Sequence, residues 1–171
     1  LDRLASIYGP SGDHGIRELD TPEINRYKRA HTMFSGGGGL VSTASNYMRF
    51  CQMMLNGGTL DGVRLLGPKT VELMSINHLP DELMPYYVRE SSTEGTQGCG
   101  FGLGFSVVMD LAQHGVIGSE GAYSWGGAAS TVFWIDPKEE LIAILMTQFM
   151  PSGHNPIRRE FQVATYQAMV D

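Results

Sequence analysis

The sequence predicts an α+β domain: helices come first, an antiparallel strand meander follows, and a C-terminal helix closes onto the sheet. Three observations carry this. Residues 42–74 hold two apolar patterns at helical spacing. Residues 100–149 hold β-branched and aromatic runs separated by turn residues. Residues 155–168 return to a helical stripe behind a proline. A chain of 171 residues is domain-sized and can bury a core without staples. It reads as a single partial domain over 1–171, with an irregular and helical segment over 1–80 and antiparallel strands with the closing helix over 97–171.

Residues 1–34 are expected to be irregular, since Gly9-Pro10-Ser11-Gly12 is turn chemistry and Pro22 follows among charges. The flexible run Ser35-Gly36-Gly37-Gly38-Gly39 leads into a helix capped by Ser42 or Thr43. Its inner face is Ala44, Tyr47, Met48, Cys51, Met54 and Leu55, and Gly57-Gly58 ends it. Leu60-Asp61-Gly62-Val63 is a tight turn, and Pro68 opens a short helix through about Met74. Residues 80–99 are polar with two prolines and read as a surface loop. Gly100 to Asp110 is one strand pattern, and Ser130 to Asp136 is another, closed by the turn Asp136-Pro137-Lys138-Glu139-Glu140. The apolar run from Leu141 to Phe149 is expected to be a central strand covered on both faces. Asn155 caps the last helix with Pro156 at its first position, and Ile157, Phe161, Ala164, Thr165 and Ala168 form the inner stripe.

The formal net charge of −6 argues against nucleic-acid partners and anionic membranes, which select basic surfaces. No window approaches the roughly 20 uninterrupted apolar residues of a membrane span. Cys51 and Cys99 fit buried free thiols or a bridge, and neither has a zinc-type spacing, so no metal or cofactor is expected. The chain opens Leu1-Asp2-Arg3 with no initiator Met and no signal-peptide run, which fits a piece of a longer polypeptide.

The stretch richest in chemistry is Glu120 to Pro137, which contains Trp125-Gly126-Gly127-Ala128. Two glycines beside a tryptophan at a strand edge permit close approach of a ligand to the backbone. An unshielded N–H there can serve as one oxyanion donor. The same residues equally fit a bulge or a packing solution.

Taken together, Ser35 to Leu79, the Gly-Phe-Gly-Leu-Gly-Phe-Ser-Val run, the Tyr123–Pro137 strand pair and the apolar run after it resemble a known superfamily. It comprises class C β-lactamases, penicillin-binding proteins and family VIII carboxylesterases. The resemblance covers nearly the whole chain in consistent order. It implies the C-terminal portion of the serine β-lactamase (transpeptidase-like) fold, a five-stranded sheet with flanking helices. It also implies an acyl-enzyme hydrolase acting on a small-molecule ester or β-lactam-like substrate. Three motifs meet in such a site: Ser-x-x-Lys, Tyr-x-Asn or Ser-x-Asn, and a triplet ending in glycine on the sheet edge. Only the triplet has a match, Trp125-Gly126-Gly127, in the form associated with the esterase-like branch. By position the Ala128 N–H is then the strand's oxyanion donor, and Trp125 stands where many β-lactamases place a cation.

No serine is followed three residues later by lysine, and no Tyr or Ser precedes an Asn by two residues in a loop suited to the second motif. Gly9-Pro10-Ser11-Gly12-Asp13 also fails as a nucleophile elbow at its last position. The chain by itself is therefore expected not to turn over. The alternative is a non-catalytic structural module that self-associates or binds the missing N-terminal half.

His14 and His31 read as exposed, His154 lies just before the last helix, and His78 reads as a helix-exit capping or core hydrogen-bonding residue. His114, in the loop before the triplet strand, is either a rim residue near ligand or an ordinary loop residue. Gly36–Gly39 lacks the Gly-Lys-Ser/Thr of a phosphate loop, which excludes nucleotide binding on that run. Met48, Met53, Met54 and Met74 read as core gap-fillers. Tyr86 and Tyr87 are acyl-pocket candidates or exposed loop residues.

Overall fold

The computed structural model describes residues 3–12, 14–21, 30, 32–84 and 97–170. Asp13, His31, Tyr86 and Tyr87 lie outside them. Five antiparallel strands form the main sheet in the order β5-β6-β7-β8-β9. They are β5 (Cys99–Phe101), β6 (Ser106–Val108), β7 (Tyr123–Gly126), β8 (Val132–Asp136) and β9 (Leu141–Leu145). Helix α1 (Ala44–Leu55) covers one face and α4 (Ile157–Gln167) covers the other.

Strand alternation sorts the side chains between these layers. Val107, Tyr123, Phe133 and Ile135 point to α1 and join Cys51, Met53 and Met54 in the larger core cluster. Trp134 and Ala143 point the other way and pack on Phe161 and Tyr166 of α4. Ile135 and Cys51 are fully buried.

Local chemistry sets the helix ends. The Thr43 hydroxyl accepts from the Asn46 N–H at 3.2 Å, which fixes Thr43 as the cap of α1. The inner face of α1 differs from the expected one: Phe50 and Met53 pack inward, whereas Ala44 and Met48 are exposed. At Gly58 φ is +95°, and a Cβ would stand 2.2 Å from the Leu66 carbonyl oxygen, so only glycine fits. Asp61 and Gly62, both with positive φ, make the two-residue turn between β3 (Thr59–Leu60) and β4 (Val63–Arg64). Helix α2 (Pro68–Met74) begins at its proline, as the sequence predicts.

Four further expectations are corrected. Residues 7–20 are not irregular: β1 (Ile7–Ser11) and β2 (Gly15–Asp20) pair as an antiparallel hairpin around Gly12. Its first strand also docks on the segment after β9, with Tyr8 donating to Gln148 O at 2.7 Å and accepting from Met150 N at 2.8 Å. Gly100 to Asp110 is a hairpin rather than one strand, because Leu103 turns out to donate to Met74 O and Gly102 N bonds Phe105 O. The strand after Glu140 is covered by helices on both faces but is an edge strand, pairs with β8 alone in the sheet, and stops at Leu145.

The fourth correction concerns α4. It starts one residue later than expected, with Pro156 rather than Asn155 at the cap and no capping side chain. Of the expected stripe, Ile157, Phe161 and Thr165 are partly buried, while Ala164 and Ala168 are exposed; Tyr166 and Phe161 pack into the core. Tyr166 was absent from the expected stripe, yet its hydroxyl donates to Asp136 Oδ2 at 2.6 Å. Asp136 is fully buried, and its Oδ1 accepts from the N–H groups of Lys138 and Glu139.

Candidate functional site

Trp125, Gly126, Gly127 and Ala128 are contiguous at the end of β7 and in the turn into β8. Trp125 faces the α1 layer, packs on the larger core and meets Phe101 edge-on, with ring centroids 5.1 Å apart. Gly126 faces the opposite layer. A Cβ on it would lie 3.0 Å from the Arg158 guanidinium carbon, and one on Gly127 would lie 2.4 Å from Thr131 Oγ1. Within the described residues, then, what approaches these glycines closely is the chain's own Arg158 and Thr131.

The turn itself is tightly specified. Ser130 N donates to Gly127 O at 3.1 Å, Gly127 N donates to Thr131 O at 3.0 Å, and Ser130 takes φ +66°. That left-handed position usually holds glycine. Here the Ser130 hydroxyl bonds Phe149 O at 2.8 Å and anchors the residue. Ala128 is exposed, its carbonyl accepts from Ser152 N at 3.0 Å, and its N–H meets no acceptor among the described residues. Pairing of β6 with β7 reaches only Tyr123 and Ser124, so strand β6 does not cover the edge at Trp125 and Gly126.

Arg158, not among the site residues expected from the sequence, supports this turn from α4. Its Nη2 donates to Gly127 O at 2.5 Å and to Thr131 O at 2.9 Å. The one signal for it in the sequence is a basic residue in the first turn of α4, where the helix dipole disfavours positive charge. Arg158 also borders a groove of about 630 Å³ on the α4 side of the sheet, with Ser124, Val132, Trp134, His114 and Gln162.

His114 lies in a short helix, α3 (Leu111–His114), rather than in a loop, and Asp110 caps that helix. Its Nδ1 is 3.4 Å from Cys99 Sγ. Burial lowers the His114 pKa and raises that of Cys99, so both groups favour their neutral forms. With Cys99 almost wholly enclosed, the pair lacks the exposed thiolate that nucleophilic chemistry needs.

His78 bonds Leu73 O at 2.7 Å, as a helix-exit residue should. Ser75-Ile76-Asn77 does carry the Ser-x-Asn spacing, but its side chains are engaged structurally. The Ser75 hydroxyl bonds back to Val71 O, and Asn77 Oδ1 accepts from Leu79 N and Phe101 N. Both cysteines are free thiols. Among the described residues there is no cluster of three metal-ligating side chains, and no helix is long and apolar enough to cross a membrane.

A five-stranded antiparallel sheet between helices, with a Gly-Gly triplet at a strand end, defines the transpeptidase-like fold of serine hydrolases. The chain carries the C-terminal portion of that fold. The sequence profile described as Beta-lactamase matches residues 2–167, and the chain belongs to the β-lactamase family. Protein Rv1367c of Mycobacterium tuberculosis (strain H37Rv) is 40% identical over 127 residues, covering 68% of this chain and 29% of that protein. The chain thus spans under a third of the curated relatives it matches.

Among solved structures, a LovD6 mutant of simvastatin synthase from Aspergillus terreus superposes with TM-score 0.76 at 26% identity. That match covers 97% of this chain and 42% of the other. EstCE1, described as a hydrolase with promiscuous acyltransferase activity, superposes with TM-score 0.67 at 22% identity, covering 95% and 44%. At that identity the second match speaks for the fold alone.

Proposed function

We propose that the protein to which this chain belongs is a serine hydrolase acting through an acyl-enzyme on small esters or β-lactam-like substrates. The single observation that carries this reading is the Ala128 N–H, which has no acceptor among the described residues, at the end of a Trp-Gly-Gly strand. A serine oxygen supplied from outside these residues attacks the carbonyl carbon, and negative charge gathers on the carbonyl oxygen. A fixed, unpartnered N–H aimed at that oxygen stabilises the transition state more than the ground state. The serine proton passes to the leaving oxygen, which departs as the alcohol (in a β-lactam the ring nitrogen takes the proton and stays attached), and water then releases the acid from the acyl-enzyme. Trp125 offers an apolar wall in place of a cation, which favours esters over carboxylate-bearing lactams.

The chain alone lacks the nucleophile and is inactive in this reading. The full-length protein should hydrolyse short p-nitrophenyl esters and be labelled by a serine-directed fluorophosphonate, while the 171-residue chain does neither. Activity that the inhibitor leaves untouched would sink the proposal.

A second reading rests on a different observation. Met33, Phe34, Leu40 and Val41 lie exposed along one segment, Phe34 at 92% and Leu40 at 95%. Apolar surface of this kind tends to be covered by a partner. The chain is then a structural module that self-associates or takes up an N-terminal half. Sedimentation of the chain as a monomer at micromolar concentration, unchanged by that half, would count against this.

A further inference from the structure

We infer that Arg158 is a positioning residue for the oxyanion donor: it braces the Gly127–Thr131 turn from behind and thereby fixes the direction of the Ala128 N–H. The inference rests on the ester-hydrolase reading and goes a step further, to a side chain outside the motif.

The turn carries the donor between two carbonyls, Gly127 O before Ala128 and Thr131 O after it. One nitrogen of Arg158 bonds both, at 2.5 Å and 2.9 Å, so a single charged group closes the mouth of the loop. The peptide group whose carbonyl Arg158 holds, Gly127 C=O, is the one whose nitrogen is the Ala128 N–H. Because a peptide is planar, holding its oxygen fixes the direction of its N–H on the opposite side. Ala128 is exposed and adds no side-chain packing. The segment 147–152 holds the Ala128 and Ala129 carbonyls from one side, Ser130 N shares Gly127 O, and Arg158 is the charged group that ties Gly127 O to Thr131 O from the other. Gly126 then gains a reason within the chain. The guanidinium lies against it, and a Cβ there would stand 3.0 Å from both its carbon and Nη2. Lysine would reproduce the brace only in part, because a flexible stem carries its ammonium, whereas the rigid guanidinium plane lying against Gly126 holds Nη2 between the two carbonyls.

The test uses the full-length protein with Arg158→Ala and Arg158→Lys, and Arg159→Ala as control. Arg159 sits one residue on, carries the same charge, and bonds Gly115 O instead. Losing a whole oxyanion donor costs about 10²–10³ in kcat, so misdirecting one should cost roughly 10- to 100-fold. The fall should appear in the acylation rate on p-nitrophenyl butyrate with KM within about twofold, since the donor acts in the transition state.

Arg158→Lys should lie between wild type and Arg158→Ala, and Arg159→Ala should match wild type. Added guanidinium ion, which can enter the bordering groove, should restore part of the lost rate to Arg158→Ala, whereas methylammonium should not. Unchanged acylation in Arg158→Ala, or a loss that guanidinium does not restore, overturns the inference.

Should the wild-type protein not acylate at all, the ester reading fails, and amide hydrogen exchange in the full-length protein decides the brace alone. The Gly127 and Ser130 N–H groups should exchange about tenfold faster in Arg158→Ala than in Arg159→Ala. Equal rates overturn it.

Discussion

Replacing Tyr166 with phenylalanine removes one oxygen and little else. The ring keeps its stacking on Trp134, whose centroid lies 6.3 Å away at an interplanar angle of 19°. What is lost is the 2.6 Å bond to Asp136 Oδ2, beneath a residue with no exposed surface. Oδ1 stays occupied by the Lys138 and Glu139 N–H groups at 3.1 and 3.3 Å, so the turn is held while the inner oxygen is orphaned. Leaving a buried acceptor unpaired costs about 1–3 kcal/mol. For a domain of this size about 2 kcal/mol lowers Tm by roughly 4–8 °C.

The same bond gives the prediction a pH signature. Burial, and then the bond to Asp136, raise the Tyr166 hydroxyl pKa above its ordinary value of 10.0. A raised folded-state value means stability that is complete below the unfolded pKa and lost as pH rises above it. The wild-type advantage over Tyr166→Phe should therefore be constant from pH 7 to 9 and shrink above about pH 10. Thermal melts of both chains at pH 7, with urea unfolding at pH 7, 9 and 10.5, check this. A Tm difference under 1 °C at pH 7, or a gap that widens above pH 10, would refute the reasoning.

Two further outcomes are expected. Burial raises the Cys51 thiol from 9.0 to about 12, so wild-type stability should fall by about 1.4 kcal/mol per pH unit from pH 9 upward on this account. Cys51→Ala should show a shallower alkaline slope in denaturant titrations, and an identical slope would assign the loss elsewhere. Gly58→Ala should cost at least about 2 kcal/mol, because left-handed strain adds to a clash with the Leu66 carbonyl. Gly62→Ala, at φ +77° with nothing within 4 Å, should cost only about 1–2 kcal/mol in parallel thermal melts.

What could be read from the sequence was what local chemistry decides. Thr43, Gly57-Gly58, Asp61-Gly62 and Pro68 each act on neighbours within a few residues, and the structure places caps and turns where they stand. The family resemblance was legible because it spans ordered motifs over the whole chain. The β1–β2 hairpin was not, since its strands contain Gly9 and Pro10 and its docking partner lies some 140 residues away, at Gln148 and Met150. Arg158 and Tyr166 were missed for a related reason. Polar residues on a helix read as its solvent face, and only the packed sheet reveals that Gly127, Thr131 and Asp136 await them.

The segment from Thr147 to Ser152 links two ends of the chain. On one side it pairs with Tyr8, and Gly9 leaves only enough room there for the Met150 carbonyl, 2.9 Å from where a Cβ would be. On the other it supports the motif turn: Phe149 N and the Thr147 hydroxyl bond Ala129 O, while Ser152 N bonds Ala128 O. The first strand and the turn that presents the Ala128 N–H are thus arranged in series on one shared strip of backbone. Anyone trimming, tagging or splitting this chain near its start acts on that strip. No described residue from 3 to 20 belongs to either core cluster of the sheet, but Tyr8 holds the far side of the support on which the motif turn rests.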